Sequence, residues 1–102
     1  MAESLGSLLS PRLFKAMGDP TRIAILQWLA DGRAECSVNE VTAACDVSQS
    51  AVSRHLSILR DAGILESTRR GKEVLYRVRV THLVALLRRL ADALESCCPP
   101  SS

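Results

Sequence analysis

The stretch from Val47 to Leu56 constrains the fold of this chain more than any other. Ser48 is a side chain that caps helix N-termini, and Val52, Leu56 and Leu59 then recur at the spacing of one buried helix face. The opposite face is polar and compact, and it carries Gln49, Ser50, Ser53, Arg54 and Ser57. Short or forked hydrogen-bonding side chains let a helix approach base edges and phosphates in a major groove. We therefore interpret this stretch as a DNA recognition helix.

Another helix is predicted directly before it. Ser37 and Glu40 have the spacing of a capping box, which starts a short helix that runs to about Ala44. The recognition helix ends near Gly63, because glycine is the residue type most common at a left-handed C-cap. Two helices joined by a tight turn, with polar residues on the second, predict a helix-turn-helix over about 37–63.

From 64 to 80 the apolar periodicity changes from helical spacing to alternation. Alternation on both sides of a turn at Gly71 and Lys72 predicts a β-hairpin. The tip of the hairpin carries three cations, Arg69, Arg70 and Lys72. We interpret this hairpin as a wing that lies on DNA phosphates or enters a minor groove.

Two helices are predicted at the start of the chain. The first runs from Leu8 to Met17. Asp19 as N-cap and Pro20 at the first helical position predict the start of the second helix, which ends at Gly32. We expect it to bury one apolar face, formed by Ile23, Leu26, Leu29 and Ala30.

The last predicted helix spans about 81–98 and begins at Thr81 as its cap. Its apolar residues have the spacing of a helix that packs on a partner helix: Val84, Leu87, Ala91 and Leu94. A small domain does not need this much apolar surface for itself. We therefore expect a homodimer through the terminal helices, with two recognition helices about 34 Å apart, one turn of DNA.

Together these elements predict one winged helix-turn-helix domain over 1–102. Its class is mainly α with a β-hairpin (α+β), in the order α-α-α-α-β-β-α, with the wing at about 64–80 and a dimerisation and sensing helix at about 81–98. A chain of 102 residues that is 47% hydrophobic is long enough to form a core.

The charge distribution points to a nucleic acid partner. The formal net charge is only +2, but between Ser48 and Arg79 seven basic residues face three acidic ones, a local net charge of 7 − 3 = +4. This concentration suits double-stranded DNA. The sequence shows no Ser/His/Asp arrangement, paired carboxylates or phosphate-binding glycine loop, so we expect no enzymatic activity.

The hydropathy pattern favours a cytoplasmic protein without a membrane partner. No apolar run approaches the ~20 residues that span a bilayer, and no basic region followed by a long apolar core opens the chain. In a reducing compartment the four cysteines are not expected to form a structural disulfide framework.

Four segments between about Leu13 and Leu94 are distinctive: AMGDPTR at 16–22, VSRHL at 52–56, LRDAGIL at 59–65 and RGK at 70–72, followed by Tyr76. Through them the chain resembles the arsenic-responsive (ArsR/SmtB) family of bacterial metal-sensing repressors. The resemblance implies a dimer that binds operator DNA without a cofactor and releases it when an inducer binds.

The candidate DNA-binding residues lie on the recognition helix and at the wing tip. They are Ser48, Gln49, Ser50, Ser53, Arg54, His55, Arg69, Arg70 and Lys72. We expect His55 to support the DNA-facing helix or contact a phosphate, because no second His, Asp or Cys lies three or four residues from it, as a metal site on a helix requires.

Two inducer sites that the resemblance implies are missing here. The thiolates of one kind of arsenite sensor would fall at Ser37, Asn39 and Thr42, none of which is a cysteine. The ligands of zinc sensors that use the last helix would fall at Val80, His82, Ala93 and Ser96, of which only His82 can bind a metal.

The adjacent pair Cys97 and Cys98 resembles that of family members that sense trivalent arsenic near the end of the last helix. As(III) and other thiophilic metal ions favour thiolates. Adjacent helical side chains diverge by about 100°, but the prolines at 99–100 encourage the helix to unwind there, so that both sulfurs can turn toward one ion. We favour Cys36 as the third ligand, with Cys45 as the alternative.

Two other interpretations of the cysteines stay open. In one, Cys36 and either Cys97 or Cys98 form a reversible disulfide or sulfur bridge, and the repressor responds to redox change or reactive sulfur such as a persulfide. In the other, the cysteines are structural in a DNA-binding module, because a free cysteine also packs as a small hydrophobe.

Overall fold

The computed structural model describes residues 10–32 and 35–97. This part of the chain forms five helices and three strands. In chain order they are α1 (Pro11–Met17), α2 (Pro20–Ala30), β1 (Cys36–Ser37), α3 (Val38–Ala44), α4 (Gln49–Asp61), β2 (Leu65–Arg70), β3 (Glu73–Val78) and α5 (Val80–Cys97). The arrangement confirms the predicted winged helix-turn-helix and adds strand β1 to it.

The two predicted caps of the helix-turn-helix are confirmed. The Ser37 hydroxyl accepts from the backbone N–H of Glu40 at 3.2 Å, and the Ser37 N–H donates to the Glu40 carboxylate at 3.1 Å, which completes the capping box of α3. The Ser48 hydroxyl accepts from the N–H of Ala51 at 3.2 Å and so caps α4.

Gly63 ends the recognition helix as predicted. Its φ of 81° is the left-handed conformation that glycine adopts without strain. The N–H of Gly63 donates to Arg60 O at 2.9 Å and that of Ile64 to Leu59 O at 3.0 Å, the two hydrogen bonds of a Schellman motif. Ile64 is fully buried, and its carbonyl accepts from the N–H of Arg79 at 3.0 Å. The junction therefore joins α4 firmly to the wing.

The sheet is antiparallel, with strand order β1-β3-β2. Strands β2 and β3 form the predicted hairpin, in which Arg70 pairs with Glu73 across Gly71, whose φ is 64°. Strand β1 was not predicted, because two residues are too few to show alternation. It places Cys36 opposite Tyr76 and so attaches the start of α3 to the wing.

Helix α2 buries a different face from the one predicted. Ile25 and Leu29 are buried, as the spacing requires for Leu29, whereas Ile23 is 52% exposed and Ala30 is also exposed. The reason is that α2 is apolar nearly all round, so the periodicity does not select one face. The core of the domain contains Leu13, Ala16, Ile25, Leu29, Cys36, Val41, Val52, Leu56, Leu59, Ile64, Leu65 and Tyr76.

The outer helices begin at slightly different residues from those predicted. Helix α1 begins at Pro11 after the N-cap Ser10, and the expected start at Leu8 lies outside the described residues. Helix α5 begins at Val80, one residue before the predicted cap Thr81, because the N–H of Leu83 already donates to Arg79 O at 2.9 Å.

Helix α5 presents two apolar surfaces. Leu83 and Leu86 pack against the core. A second row, which we call the α5 stripe, consists of Val84, Leu87, Ala91 and Leu94, and its three large residues are 39% to 48% exposed. No helix in the described part of the chain is long and apolar enough to cross a bilayer.

Candidate nucleic-acid interface

Helix α4 separates an apolar face from a polar one, as its sequence predicts. Val52, Leu56 and Leu59 have no exposed surface. On the other side Ser50 and Arg54 are exposed, and Ser53 is half-buried. The polar face of α4 is thus accessible to a ligand, while the apolar face packs on the core and holds the helix in place.

Several of the candidate DNA-binding side chains already have protein partners. Ser48 uses its hydroxyl as the cap of α4, and the same hydroxyl lies 3.4 Å from that of Ser50. Gln49 donates through Nε2 to Asn39 Oδ1 at 2.8 Å. This bond leaves the Gln49 carbonyl oxygen and one amide hydrogen for another partner. No pattern in the sequence indicates the role of Asn39, because ten residues and a turn separate the two amides.

Acidic side chains neutralise several of the cations between Ser48 and Arg79. Glu66 accepts from Arg77 at 2.6 Å and lies 4.0 Å from Arg79, both on the body of the hairpin. Arg60 pairs with Asp61 at 3.3 Å at the end of α4. The positive charge of this segment is therefore reduced away from the polar face of α4 and the wing tip.

The cations without an acidic partner lie elsewhere. Among residues 10–32 and 35–97, Arg54, Arg69 and Lys72 form no ion pair, and all three are exposed. Arg70 lies 3.6 Å from Glu35, but its side chain is 74% exposed. Such surface pairs are weak, so Arg70 can exchange its partner for a phosphate. Within the segment from Ser48 to Arg79, the positive charge that no acidic side chain neutralises thus lies on α4 and at the wing tip.

His55 lies at the side of α4 and contacts a residue that sequence reasoning missed. Its Nδ1 is 3.2 Å from Nη1 of Arg22, in the first turn of α2. Arg22 is itself held by Asp19, the cap of α2. The N–H of Arg22, with that of Thr21, donates to the Asp19 carboxylate and lowers the pKa of that group below its ordinary value.

The cysteines differ in access. Cys36 is buried in β1, with 2% of its surface exposed. Cys45 is half-buried at the end of α3 and lines a surface groove of about 450 Å³. The groove is lined further by Pro20, Thr21, Ala24, Trp28, Ala44, Asp46 and Val47. Either thiol must move or become more exposed to bind an ion with other cysteines.

Of the terminal cysteine pair, only the backbone of Cys97 belongs to the described part of the chain. The backbone of Cys97 is the last residue of α5, and Cys98 lies outside the described residues. Within the described ranges, no three His, Cys, Asp or Glu side chains lie together so that they could hold a metal ion. His82 lines a different groove, together with Glu66 and Arg79.

Known proteins resemble this chain across the helix-turn-helix. The family described as "Bacterial regulatory protein, arsR family" matches residues 19–67. A transcriptional repressor SmtB homolog from Synechocystis is 39% identical over 80% of this chain and 61% of its own length. The arsenical resistance operon repressor of Escherichia coli is 37% identical over 88% of this chain and 75% of its own. A probable mercury resistance operon repressor from Streptomyces lividans is 41% identical over 85% and 73%. The chain thus spans less than two thirds of the Synechocystis relative.

Solved structures extend the resemblance to the whole fold. An ArsR family transcriptional regulator is superposable on 99% of this chain and 100% of its own, with a TM-score of 0.73 and 25% identity. The homodimeric winged helix-turn-helix DNA-binding domain from Mycobacterium bovis covers 79% of this chain and 76% of its own, with a TM-score of 0.62 and 32% identity. From its sequence and its fold alike, the chain belongs to the arsR family of bacterial regulatory proteins.

Proposed function

We propose that this protein is a homodimeric transcriptional repressor that releases operator DNA when a thiophilic inducer binds its cysteine thiolates. The observation that carries the DNA-binding part is the distribution of charge. Acidic neighbours pair with the cations on the body of the hairpin and at the end of α4, whereas Arg54, Arg69 and Lys72 have no such neighbour in the described chain.

The two elements have different roles in this proposal. Helix α4 enters the major groove, where Gln49, Ser50, Ser53 and Arg54 read base edges or contact flanking phosphates. The wing tip contacts the phosphate backbone through Arg69, Arg70 and Lys72, which adds affinity that does not depend on sequence. Ser48 contributes by fixing the first turn of α4.

The α5 stripe is the proposed dimer contact. Leu87 and Leu94, 48% and 45% exposed, are large apolar side chains on one side of a helix whose other apolar side already packs on the core. A homodimeric relative of the same fold supports a second copy as the partner. Burial of the stripe between two copies removes this apolar surface from water.

The inducer follows from the chemistry of the cysteines. The names of two relatives refer to arsenical and mercury resistance, and both elements in their ionic forms are thiophilic. We favour trivalent arsenic, with Cys97 and Cys98 as ligands. A third thiolate comes from Cys36, or from Cys45 in its place.

The length of α5 favours a site shared between protomers. Cys36 pairs with Tyr76 on β3, four residues before α5 begins, and Cys97 ends that helix of 18 residues. At 1.5 Å per residue the two ends are about 25 Å apart. A thiolate from the partner subunit is therefore favoured over Cys36 of the same chain. Because Cys36 is buried, its use also requires the start of α3 to move, which would couple inducer binding to the DNA reader.

The DNA-binding part is tested by fluorescence anisotropy of the reduced protein on DNA from upstream of its own gene. We expect Arg54→Ala to weaken binding about 5- to 150-fold, since a bidentate contact to a base is worth about 1–3 kcal/mol. Arg89→Ala is the matched control, an exposed arginine on α5 that we expect to bind normally. Equal losses in the two variants would contradict the placement of α4 in the groove.

The same assay tests the inducer. Arsenite, other thiophilic metal ions and a persulfide donor are titrated in parallel onto the complex. We expect stoichiometric arsenite to release DNA from the native protein and to have no effect on the Cys97→Ser/Cys98→Ser variant. Release by the persulfide alone, reversed by a reductant, would instead establish the reversible-sulfur interpretation. Failure of every reagent would leave the cysteines structural.

A further inference from the structure

Arg22 is a largely enclosed arginine, and each nitrogen of its guanidinium has a partner in the protein. Its side chain is 11% exposed. Nε donates to Ala16 O at 2.6 Å, Nη2 donates to Lys15 O at 3.1 Å, and Nη1 lies 3.2 Å from His55 Nδ1. The three nitrogens of one guanidinium therefore reach three different acceptors.

Two of these acceptors belong to the end of α1. Carbonyls in the last turn of a helix have no partner within the helix, and a cation there is favoured by the helix dipole. Arg22 donates to two carbonyls of that turn from the first turn of the next helix, and one of them, Lys15 O, also accepts from the N–H of Gly18 at 3.3 Å. The N–H of Arg22 itself donates to Asp19 at 3.2 Å. The guanidinium thus joins the end of α1 to the beginning of α2.

The third acceptor belongs to the recognition helix. A guanidinium carries only donors, so its contact with Nδ1 is a hydrogen bond in the tautomer whose Nδ1 is unprotonated. The proton of His55 is then on Nε2. Arg22 thereby fixes both the orientation of the ring and its tautomer, and leaves His55 with one N–H donor at the side of α4.

We propose that Arg22 is a positioning residue for DNA binding. It holds α4 against the junction of α1 and α2 and keeps His55 in the tautomer whose Nε2–H donates to a DNA phosphate oxygen. The inference rests on the proposed function, because it requires that α4 binds DNA. It adds a residue that does not itself touch the nucleic acid and gives His55 a defined donor.

The Arg22→Lys variant tests whether Arg22 acts through its charge or through the geometry of its guanidinium. Arg22→Lys keeps the positive charge, but a single ammonium on a flexible stem cannot reproduce the planar fork that meets three acceptors. If Arg22 acted only through its charge, the lysine variant would behave as the native protein. If the fork positions His55, the variant loses the fixed tautomer.

The test combines a tautomer measurement with DNA binding on the full chain. Nitrogen-15 NMR of the imidazoles, assigned with a His82→Gln variant, reports which ring nitrogen of His55 carries the proton. We expect the Nε2–H form in the native protein and a mixture of both tautomers in Arg22→Lys. In anisotropy with upstream DNA, Arg22→Lys and His55→Phe should each weaken binding about tenfold, the loss expected for one hydrogen bond to a charged group.

The double variant decides whether the two residues act together. Arg22→Lys/His55→Phe should bind no more weakly than either single variant, because both remove the same contact. The salt dependence should be unchanged in His55→Phe, since a neutral donor releases no counterion. Arg12→Lys, an exposed arginine on α1, is the matched control and should bind like the native protein.

The outcomes separate the inference from the function it rests on. Absence of binding by the native protein to upstream DNA would overturn the proposed function. Native binding with unchanged affinity and an unchanged tautomer in Arg22→Lys would overturn the role of Arg22 alone, as would losses that add in the double variant. If Arg22→Lys does not fold, His55→Phe carries the test, and unchanged affinity in that variant overturns the inference.

Discussion

Single side chains decide where the helices of the DNA reader begin. Ser37 is an example, because this one residue both ends strand β1 and caps α3. It is 5% exposed, and both its hydroxyl and its N–H are bonded to Glu40. Removal of its hydroxyl would leave a backbone donor without a partner at a partly buried position.

We expect Ser37→Ala to lower the free energy of unfolding by about 1 kcal/mol, the usual effect of a lost N-cap. The measurement is equilibrium unfolding in urea, with an unchanged dependence on denaturant as the sign that only stability has changed. Ser50→Ala, at an exposed position in the first turn of α4, is the control and should stay within about 0.5 kcal/mol of the native value. Equal losses would show that the capping box does not stabilise α3.

Residues of this kind could be predicted, whereas Arg22 could not. A cap acts on backbone groups two or three residues away, so Ser37 and Ser48 are visible in the local sequence. The acceptors of Arg22 are two carbonyls in the previous helix and a ring 33 residues further along the chain. Only the packing of α1, α2 and α4 brings them together, so no spacing in the sequence indicates this contact.

At the scale of elements, the wing separates paired from available charge. Arg69 lies near the tip without an acidic partner in the described chain, whereas Arg77 on the neighbouring strand donates to Glu66 at 2.6 Å. The two arginines share a hairpin, a charge and an exposed position. They differ in whether the protein already neutralises them.

We expect Arg69→Ala to weaken DNA binding similarly for all sequences and to lower the slope of log affinity against log salt by about 1, the effect of one lost phosphate contact. Arg77→Ala is the matched control and should change neither quantity appreciably. Anisotropy titrations at several salt concentrations measure both. A larger loss in Arg77→Ala than in Arg69→Ala would contradict the assignment of the tip as the phosphate contact.

The elements differ in how far the sequence predicts them. The sequence predicts both faces of α4, because Val52, Leu56 and Leu59 recur every three to four residues with polar residues between them. Helix α2 offers apolar side chains on all sides, so the exposure of Ile23 could not be anticipated. Strand β1 exists only through its pairing with β3, a contact between distant parts of the chain.

At the scale of the whole molecule, the α5 stripe is a row of apolar side chains that the core leaves exposed. It was predicted from heptad-like spacing, and its exposure on the single chain agrees with that expectation. If a second copy covers it, the distance between two α4 helices is set by how two α5 helices pack.

We expect Leu87→Glu to convert the dimer to a monomer, because a charge would be buried without a partner in the contact. Sedimentation velocity measures the oligomeric state, and DNA affinity should fall with it. Ala85→Glu introduces the same charge on an exposed residue of α5 outside the stripe and should remain dimeric. A Leu87→Glu protein that stays dimeric would require another contact surface.

The junction between α4 and the wing has a mechanical consequence. The Schellman motif at Gly63, the buried Ile64 and its bond from Arg79 leave this connection few internal degrees of freedom. Helix α4 and the wing tip should therefore rotate as one rigid body, with a constant angle between them. We expect an inducer to act on the orientation of one such body relative to the other, so that both half-sites of a palindromic operator lose their fit at once while each isolated half-site would still be recognised.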